Sequence, residues 1–258
     1  MSQQPLVEMI DIEKHFGGVR AVNHVSVDLY PGEVVGLLGH NGAGKSCLMR
    51  MLSGAMKPNG GEIRVGGTPV EFADPNDARA CGIETIYQTL ALADHLDAPS
   101  NLFLGRELKT RFGNLDDARM LAAARDVLAR LNPNFKNLRD PVSSLSGGQR
   151  QVIAIARAIY FDTKILIMDE PTAALGPSET AMVADLIRQL QSEGIGIFLV
   201  SHDMHDVFEL CDRVVVMNKG QVVGAHAIDE VSKDDVLSLI VKGELPADWS
   251  ARNLEPAE

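Results

Sequence analysis

Hydrophobic and polar positions change their spacing several times along the chain. Residues 6–35 alternate between apolar and polar in short runs, with turns at Gly17-Gly18 and Pro31-Gly32, and residues 60–72 return to this alternation. Both stretches predict antiparallel strands, because successive side chains of a strand point to opposite faces of the sheet. The run VVGLLG (34–39) is apolar throughout, which is typical of a buried parallel strand.

Residues from about 89 to 160 show helical spacing instead. The clearest case is the stretch 116–133, where Asp116 can cap the start and Asn132-Pro133 ends the pattern. Its apolar residues fall on one helical face: Met120, Leu121, Ala124, Val127, Leu128 and Leu131. We therefore expect an inserted helical lobe over residues 89–160.

After residue 160, strand and helix patterns alternate. The runs KILIMDE, IGIFLVSH and DRVVVMNKG predict strands, and an apolar stripe that stops at Gly194 predicts a helix between the first two. The stripe consists of Met182, Val183, Leu186, Ile187 and Leu190. Such alternation implies an α/β fold with a mostly parallel sheet. We expect a single domain over residues 1–243, with an antiparallel β-lobe and the helical lobe, followed by a short flexible tail at 244–258.

Composition narrows the functional classes. The formal net charge of −11 argues against a nucleic-acid partner, because nucleic-acid binders normally carry a basic face. The three cysteines are widely spaced and odd in number, which fits neither a disulfide framework nor a metal pattern. No apolar run reaches the length of a membrane span, and the first residues do not read as a signal peptide, so a cytoplasmic location is expected.

The stretch GHNGAGKS, residues 39–46, is the strongest chemical signal. It fits the phosphate-loop pattern G-x-x-x-x-G-K-S and lies between a predicted strand and a predicted helix, as that motif requires. The glycines let backbone N–H groups point at a phosphate chain, Lys45 can reach the β- and γ-phosphates, and Ser46 can ligate Mg²⁺. The phosphate-binding residues expected here are Gly39, His40 through its backbone alone, Asn41, Gly42, Ala43, Gly44, Lys45 and Ser46.

Polar residues also follow two later apolar runs. KILIMDEP (164–171) contains Asp169, which we expect to hold the Mg²⁺ shell, and Glu170, which can orient or deprotonate a water that attacks the γ-phosphate. A solvated acidic strand end is the alternative. His202 follows another predicted strand and so lies where α/β sheets bind ligands. A turn histidine with a local hydrogen bond is the alternative there.

The stretch LSGGQR, residues 145–150, places a glycine pair before the apolar helical run QVIAIARAIYF. Glycine weakens a helix, and the stretch contains no strong acid or base suited to catalysis. Ser146, Gly147 and Gly148 would open the helix with free N–H groups, which predicts a second anion site.

Together these motifs resemble the ATP-binding subunit of an ABC transporter over nearly the whole chain, with LSGGQ as that family's signature. The resemblance implies a RecA-like P-loop NTPase core, ATP and Mg²⁺ as cofactors, and ATP hydrolysis. It also implies a head-to-tail homodimer that forms on ATP binding. In that dimer the signature of one subunit closes over the γ-phosphate of ATP held by the other. The signature residues are Ser146, Gly147, Gly148 and Gln149.

The same resemblance assigns further roles. Phe16 occupies the place of the aromatic residue that stacks on adenine, with a core aromatic at a strand end as the alternative. Gln88 matches the glutamine that senses Mg²⁺ and the attacking water, and His202 matches the histidine that contacts the γ-phosphate. The implied catalytic residues are Lys45, Gln88, Glu170 and His202, and the implied metal ligands are Ser46, Gln88 and Asp169.

Gly176 departs from the family pattern, which often has aspartate at this position in a loop that crosses the dimer interface. This puts the usual contact across the dimer in doubt and keeps open a nucleotide-binding regulatory subunit with little turnover. A chromosome or DNA-repair ATPase of the same superfamily is disfavoured, because no sustained heptads separate the phosphate loop from the signature. A phosphate-loop kinase is the least favoured class, since LSGGQ would have no role in it.

Residues 82–106 resemble the corresponding segment of bacterial monosaccharide importers of the ribose, xylose and fructose type. That resemblance implies a separate integral membrane permease as partner and, indirectly, a substrate-binding protein. The chain would then lie peripherally at the cytoplasmic face of the inner membrane. Branched-chain amino-acid importers are the alternative importer class.

Overall fold

A computed structural model of the chain describes residues 4–136, 138–173, 175–246 and 249. The strands are β1 (Val7–Phe16), β2 (Val19–Leu29), β3 (Val34–Leu38), β4 (Gly60–Val65), β5 (Thr68–Val70), β6 (Ile83–Ile86), β7 (Ile165–Asp169), β8 (Gly196–Val200), β9 (Arg213–Asn218) and β10 (Gln221–Ala227). The α-helices are α1 (Lys45–Leu52), α2 (Pro75–Ala80), α3 (Ala98–Phe103), α4 (Asp117–Leu131), α5 (Gly147–Ile159), α6 (Pro177–Ser192), α7 (Met204–Leu210) and α8 (Lys233–Lys242).

The larger sheet has six strands in the order β10-β9-β3-β8-β7-β6. The five strands from β9 to β6 run parallel, and β10 is antiparallel to β9 at one edge. Every residue of β3 and β8 is buried, which confirms the prediction that VVGLLG forms an interior parallel strand. Val35 and Leu37 of β3 face one core cluster, and Val34 and Leu38 face the other, so both faces of the sheet are covered.

The smaller sheet has the order β2-β1-β4-β5 and is antiparallel throughout, as the alternating stretches predicted. The antiparallel run ends at Leu29, and the chain then enters the parallel sheet at Val34. Val7, Met9 and Ile12 of β1 are buried in a cluster that includes α1 and one face of the larger sheet. Burial of this face therefore fixes the small sheet against the phosphate loop's helix.

The region 89–160 contains α3, α4 and α5 but is not helical throughout. Residues 104–116 form an irregular excursion with a single bridge between Lys109 and Leu115. On α4 the predicted face is buried at Met120, Ala124, Leu128 and Leu131 and half-buried at Leu121 and Val127. The Asp116 carboxylate accepts the Arg119 N–H at 3.1 Å, which confirms the predicted cap. Because α5 contacts β6 and α6 as well as α3 and α4, the lobe shares a helix with the core.

The helix α6 confirms the predicted stripe, with Val183, Leu186, Ile187 and Leu190 buried and Met182 half-buried. It ends two residues before Gly194, which has a left-handed φ of 88°.

Five of these strands and helices were not predicted: α2, β6, α7, β10 and α8. The helices α2 and α7 have only six and seven residues, too few for a periodic signal. Within the described ranges every helix is too short or too polar to span a bilayer. The expected tail at 244–258 lies mostly outside the described residues, so it stays a prediction.

Asn101 of α3 fixes the segment that leads from the core into the helical lobe. It is fully buried, and its side chain satisfies four backbone groups. Its Oδ1 accepts the Ala93 N–H at 2.7 Å, and its Nδ2 donates to the carbonyls of Ala93, Leu96 and Asp97 at 3.0, 3.2 and 3.0 Å. The three carbonyls also accept the backbone N–H groups of Leu96, Val142 and Asn101, so the Ala93 N–H is the group that depends on this amide. A backbone group without a partner is costly, so the amide holds this non-helical segment in place.

We expect Asn101→Ala to lower the free energy of unfolding by about 2 kcal/mol, because the Ala93 N–H would lose its partner and a polar group left without one costs roughly 1–3 kcal/mol. Urea unfolding followed by circular dichroism measures the change. The control Asn134→Ala removes an exposed amide from the same lobe and should shift the free energy of unfolding by at most about 0.5 kcal/mol. Equal stability of the two variants would contradict this role for Asn101.

Candidate functional site

The predicted phosphate loop connects the end of β3 to the start of α1, in the strand–loop–helix order that the motif requires. Gly39, Gly42 and Gly44 have positive φ values of 146°, 83° and 106°. A Cβ at Gly39 would lie 2.3 Å from the Met217 carbonyl oxygen, and one at Gly44 would lie 2.4 Å from the Ala21 carbonyl oxygen. Two of the glycines are therefore required both by backbone conformation and by the close approach of neighbouring strands.

Lys45 opens α1 and folds its side chain back over the loop. Its Nζ donates to the Gly39 carbonyl at 2.6 Å and to the His40 carbonyl at 3.2 Å. Burial lowers the pKa of Lys45, while the negative charges of Glu170 and Asp169 oppose that change. The ammonium group thus lies between the loop backbone and the two acidic residues.

Asp169 is the last residue of β7 and Glu170 follows it directly. Glu170 has a left-handed φ of 52°, an unfavourable conformation for a residue with a Cβ, and its N–H donates to the Val200 carbonyl at 2.8 Å. The Glu170 side chain is only 15% exposed. Burial and the neighbouring Glu170 raise the pKa of Asp169, whereas Lys45 and Arg50 lower it. The alternative of a freely solvated acidic strand end does not fit these carboxylates.

His202 lies just beyond the end of β8, and its Nδ1 is 2.7 Å from Glu170 Oε1. This partner comes from the neighbouring strand, so the alternative of a turn histidine with a local hydrogen bond is wrong. The hydrogen bond to Glu170, together with that carboxylate's charge, raises the pKa of His202 above 6.5, and Lys45 opposes the change. The imidazole itself is 81% exposed and remains open to a ligand on its other side.

One cleft of about 560 Å³ brings together the four residues predicted to be catalytic, Lys45, Gln88, Glu170 and His202. It is lined by Leu38, Gly39, His40, Asn41, Lys45, Gln88, Glu170, Ser201, His202, Met204, Leu237 and Ile240. Gln88, Lys45 and the Glu170–His202 pair thus face one space. Residues at the ends of β3, β7 and β8 meet there, as expected for a parallel sheet.

Ser46 and Asp169 line a smaller adjoining cavity of about 40 Å³ together with Thr85. A hydroxyl and a half-buried carboxylate are the hard oxygen donors that Mg²⁺ prefers, so the residues present fit this ion. Gln88 lines the larger cleft, and the structure does not place it in the Ser46–Asp169 cavity.

Phe16 lies at the end of β1, 50% exposed, beside the turn into β2. The alternative of a core aromatic is therefore wrong. The ring lies 5.4 Å from Lys14 Nζ and is not among the residues that line the larger cleft.

The signature stretch begins α5. Ser146 Oγ accepts the Gln149 N–H at 3.3 Å, and Gln149 Oε1 accepts the Ser146 N–H at 3.0 Å, a reciprocal capping box. The Gly148 N–H donates to Glu179 Oε1 at 3.0 Å. The prediction of free N–H groups is therefore wrong for Ser146, which bonds Gln149, and for Gly148, which a carboxylate from α6 reaches.

The glycine pair has a packing reason. A Cβ at Gly148 would lie 2.8 Å from Met182 Cε and 3.1 Å from Glu179 Cγ, and one at Gly147 would lie 3.0 Å from Leu175 Cδ2. The absence of side chains lets the start of α5 lie directly against α6 and the chain before it.

The signature does not share the phosphate-loop cleft. Gly147 instead lines a second cleft of about 430 Å³ with Arg150, Gln151 and residues 88–92. Gln88 and Glu170 line both clefts, so they lie between the phosphate loop and the signature.

Sequence reasoning missed Asn218 and Glu179 and expected too little of His40. Asn218 Oδ1 lies 3.4 Å from His40 Nε2, and its Nδ2 donates to the Ile240 carbonyl, which joins the phosphate loop to α8. His40 Nδ1 also bonds the Asn41 carbonyl at 2.7 Å, so its side chain supports the loop, contrary to the expectation of a backbone role alone. Glu179 had a detectable signal, since it stands three residues after Gly176 in a capping-box position. Asn218 had none.

Comparisons with known proteins agree with this geometry. A family model described as ABC transporter matches residues 22–173. The fructose import ATP-binding protein FrcA of Rhizobium meliloti is 44% identical over 86% of this chain and 88% of its own length. The ribose import ATP-binding protein RbsA of Hahella chejuensis is 40% identical over 92% of this chain, which spans only 47% of that relative.

Solved structures show the same fold. The ATP-binding cassette MJ1267 superposes with a TM-score of 0.80 at 24% identity, covering 93% of this chain and 98% of that one. The cassette MJ0796, solved as a dimer in a post-hydrolysis state bound to ADP and Pi, has a TM-score of 0.72 at 24% identity, covering 86% of this chain and 98% of that one. The chain belongs to the ABC transporter family and carries its ATPase domain.

We expect the pKa of His202 to fall when Glu170 is replaced by Gln, because the neutral amide no longer favours the imidazolium. Since the folded-state pKa is raised, protonated His202 stabilises the fold below pH 6.5, and this contribution is lost as the pH rises through the raised value. NMR titration of the His202 ring signal measures the pKa directly.

The control for this titration is Glu193→Gln, which removes a carboxylate paired with Arg130 at the far end of α6. It should leave the pKa of His202 unchanged. If the unaltered chain and both variants gave the same pKa, the contact between His202 and Glu170 would not exist in solution.

Proposed function

We propose that this chain is the ATP-binding and ATP-hydrolysing subunit of an ABC importer that takes up a monosaccharide through a separate membrane permease. The observation that carries the proposal is the single cleft in which the phosphate loop, Lys45, Gln88 and the Glu170–His202 pair face one another. The similarity to the fructose import protein FrcA and the ribose import protein RbsA supports a sugar as the solute. A substrate-binding protein outside the membrane would deliver that sugar, and this chain would lie at the cytoplasmic face of the inner membrane.

Nucleotide binding is assigned to the loop and the residues beside it. The N–H groups of residues 39–46 and the positive end of α1 would bind the phosphate chain, and Phe16 would stack on the adenine. Lys45 would exchange the carbonyls of Gly39 and His40 for oxygens of the β- and γ-phosphates. Its ammonium group is held close to where they bind, so little reorganisation is needed.

Hydrolysis is assigned to Glu170 and its partners. Glu170 would accept the proton of the attacking water, and His202 would hold the carboxylate in place and contact the γ-phosphate. Gln88 would orient the same water from the opposite side. Ser46 and Asp169 would hold Mg²⁺, which when bound neutralises charge developing on the phosphate oxygens. The contact between Glu170 and His202 disfavours the alternative of a regulatory subunit without turnover.

A complete site would need two subunits. The signature lies outside the phosphate-loop cleft of its own chain, so Ser146 and its glycines would reach ATP only on a second, head-to-tail copy. The dimeric form of MJ0796 supports the association of two copies.

The sugar assignment has a direct test. Reconstitution with the permease and binding protein should show ATP-dependent uptake of fructose or ribose. Uptake of branched-chain amino acids alone would reject the monosaccharide.

We expect Glu170→Gln to bind Mg-ATP but to release phosphate at least about a hundredfold more slowly, because the general base is lost. ATP-bound dimers should then accumulate, as measured by size-exclusion chromatography with light scattering. Glu193→Gln makes the same chemical change away from the site and should hydrolyse ATP normally. Near-normal turnover in Glu170→Gln would show that Glu170 is not the base.

We expect two inactive variants to restore activity when mixed. Lys45→Ala should lower ATP affinity about tenfold or more, because it removes a charge-assisted contact to the phosphates. Ser146→Arg should keep the ATP affinity of the monomer and block closure. In a mixed dimer one site carries both defects and the other neither, so up to about half of the normal activity per mixed dimer should return.

The control for the mixing experiment is each variant alone, measured by phosphate release at the same total concentration. If Ser146→Arg alone weakened ATP binding as much as Lys45→Ala does, the signature would act on its own chain's nucleotide. The head-to-tail arrangement would then be rejected.

A further inference from the structure

Glu179, in the first turn of α6, bonds the groups that the proposed function assigns to the partner's γ-phosphate. Its Oε1 accepts the Gly148 N–H at 3.0 Å, and its Oε2 accepts the Gly176 N–H at 3.3 Å. A single carboxylate thus joins the first turn of the signature helix to the loop that follows Glu170.

The contact is well packed. The Glu179 stem lies against Gly148 so closely that an added Cβ there would be 3.2 Å from Glu179 Cβ. Hydrogen bonds from the Gly148 N–H, the Ser146 hydroxyl and the Gly176 N–H hold the pKa of Glu179 below its usual value, so the group is a carboxylate at neutral pH.

This contact occupies the Gly148 N–H, one of the anion-binding groups predicted for the signature. The N–H groups of Ser146 and Gln149 are bonded inside the capping box, and the N–H of Gly148 is bonded to Glu179. A backbone N–H has one hydrogen and serves one strong acceptor. A phosphate oxygen therefore cannot bond Gly148 while Glu179 does, and two negative groups at one helix N-terminus also repel each other.

We propose that the Glu179 carboxylate occupies the anion-binding position of the signature in the separate subunit. The carboxylate must leave the Gly148 N–H before the partner subunit's γ-phosphate can bind there. This inference rests on the proposed head-to-tail dimer. Glu179 then opposes closure, and its carboxylate sets the ATP concentration at which two subunits come together. The N–H of Gly176 keeps the released carboxylate near the start of α6, so that it returns to Gly148 when the subunits part.

The test compares variants in the slow Glu170→Gln background, with dimer formation followed by light scattering over a range of Mg-ATP concentrations. Glu179→Gln keeps the size of the side chain and removes its charge, so the ATP concentration for half-maximal dimer should fall about fivefold. The ATP affinity of the monomer, measured by calorimetry on dilute chain, should not change. A purely structural role would lower the melting temperature without lowering the ATP requirement.

The matched control is Asp185→Asn, which removes one negative charge from an exposed position of the same helix and should leave the ATP requirement unchanged. Glu179→Asp keeps the charge but withdraws it from Gly148 by one methylene, so its ATP requirement should lie between those of Glu179→Gln and the parent. If Glu179→Gln does not fold, Glu179→Asp tests the proposal by itself. A lower ATP requirement than that of the parent supports the proposal, and an equal or higher one overturns it.

The outcomes separate the two proposals. If the parent does not dimerise with ATP, the head-to-tail arrangement fails and the inference on Glu179 fails with it. If the parent dimerises but the Glu179 variants need as much ATP or more, only the inference on Glu179 is overturned. A raised requirement would make Glu179 a residue that positions the signature for closure.

Discussion

Parallel pairing of three buried strands is the constraint on which the rest of the site depends. Leu37 of β3 and Asp169 of β7 both pair with Val200 of β8, so the three strands end at the same level. The phosphate loop, Glu170 and Ser201 then follow from adjacent strand ends. A shift of one residue in any of these pairings would move a side chain of the candidate site to the other face of the sheet. Complete burial of both faces by apolar side chains is what holds the register.

Groups of opposite charge lie near one another at this edge of the sheet. Lys45 lies between the loop carbonyls and two carboxylates, and Glu170 adopts a left-handed backbone that typically costs about 1–3 kcal/mol. Its bonds to the Val200 carbonyl and to His202 offset part of that cost. A group held this tightly in an unfavourable conformation has its geometry set before a substrate arrives, which is what electrostatic catalysis of phosphoryl transfer requires.

In the signature, a backbone N–H group is bonded by a side chain of the same chain. Gly147 and Gly148 allow α5 to start directly against α6, and that close approach brings Glu179 onto the Gly148 N–H. The family often has aspartate at the position of Gly176. The Gly176 N–H nevertheless donates to the same Glu179 carboxylate. Within one chain, Glu179 therefore joins the signature to the loop that follows Glu170.

The sequence by itself determined the sheet strands with long apolar or alternating runs, the helices α4 and α6 with their caps, and the phosphate-loop, Asp169–Glu170 and LSGGQ motifs. These features are local, because periodicity, capping and glycine patterns act over a few residues. Only the tertiary structure decided which strand ends meet, that His202 bonds Glu170, that Asn218 ties His40 to α8 and that Glu179 reaches Gly148. Each of these contacts joins residues far apart in the chain, and their partners are chosen by packing of the buried sheet and helices, which no local pattern encodes.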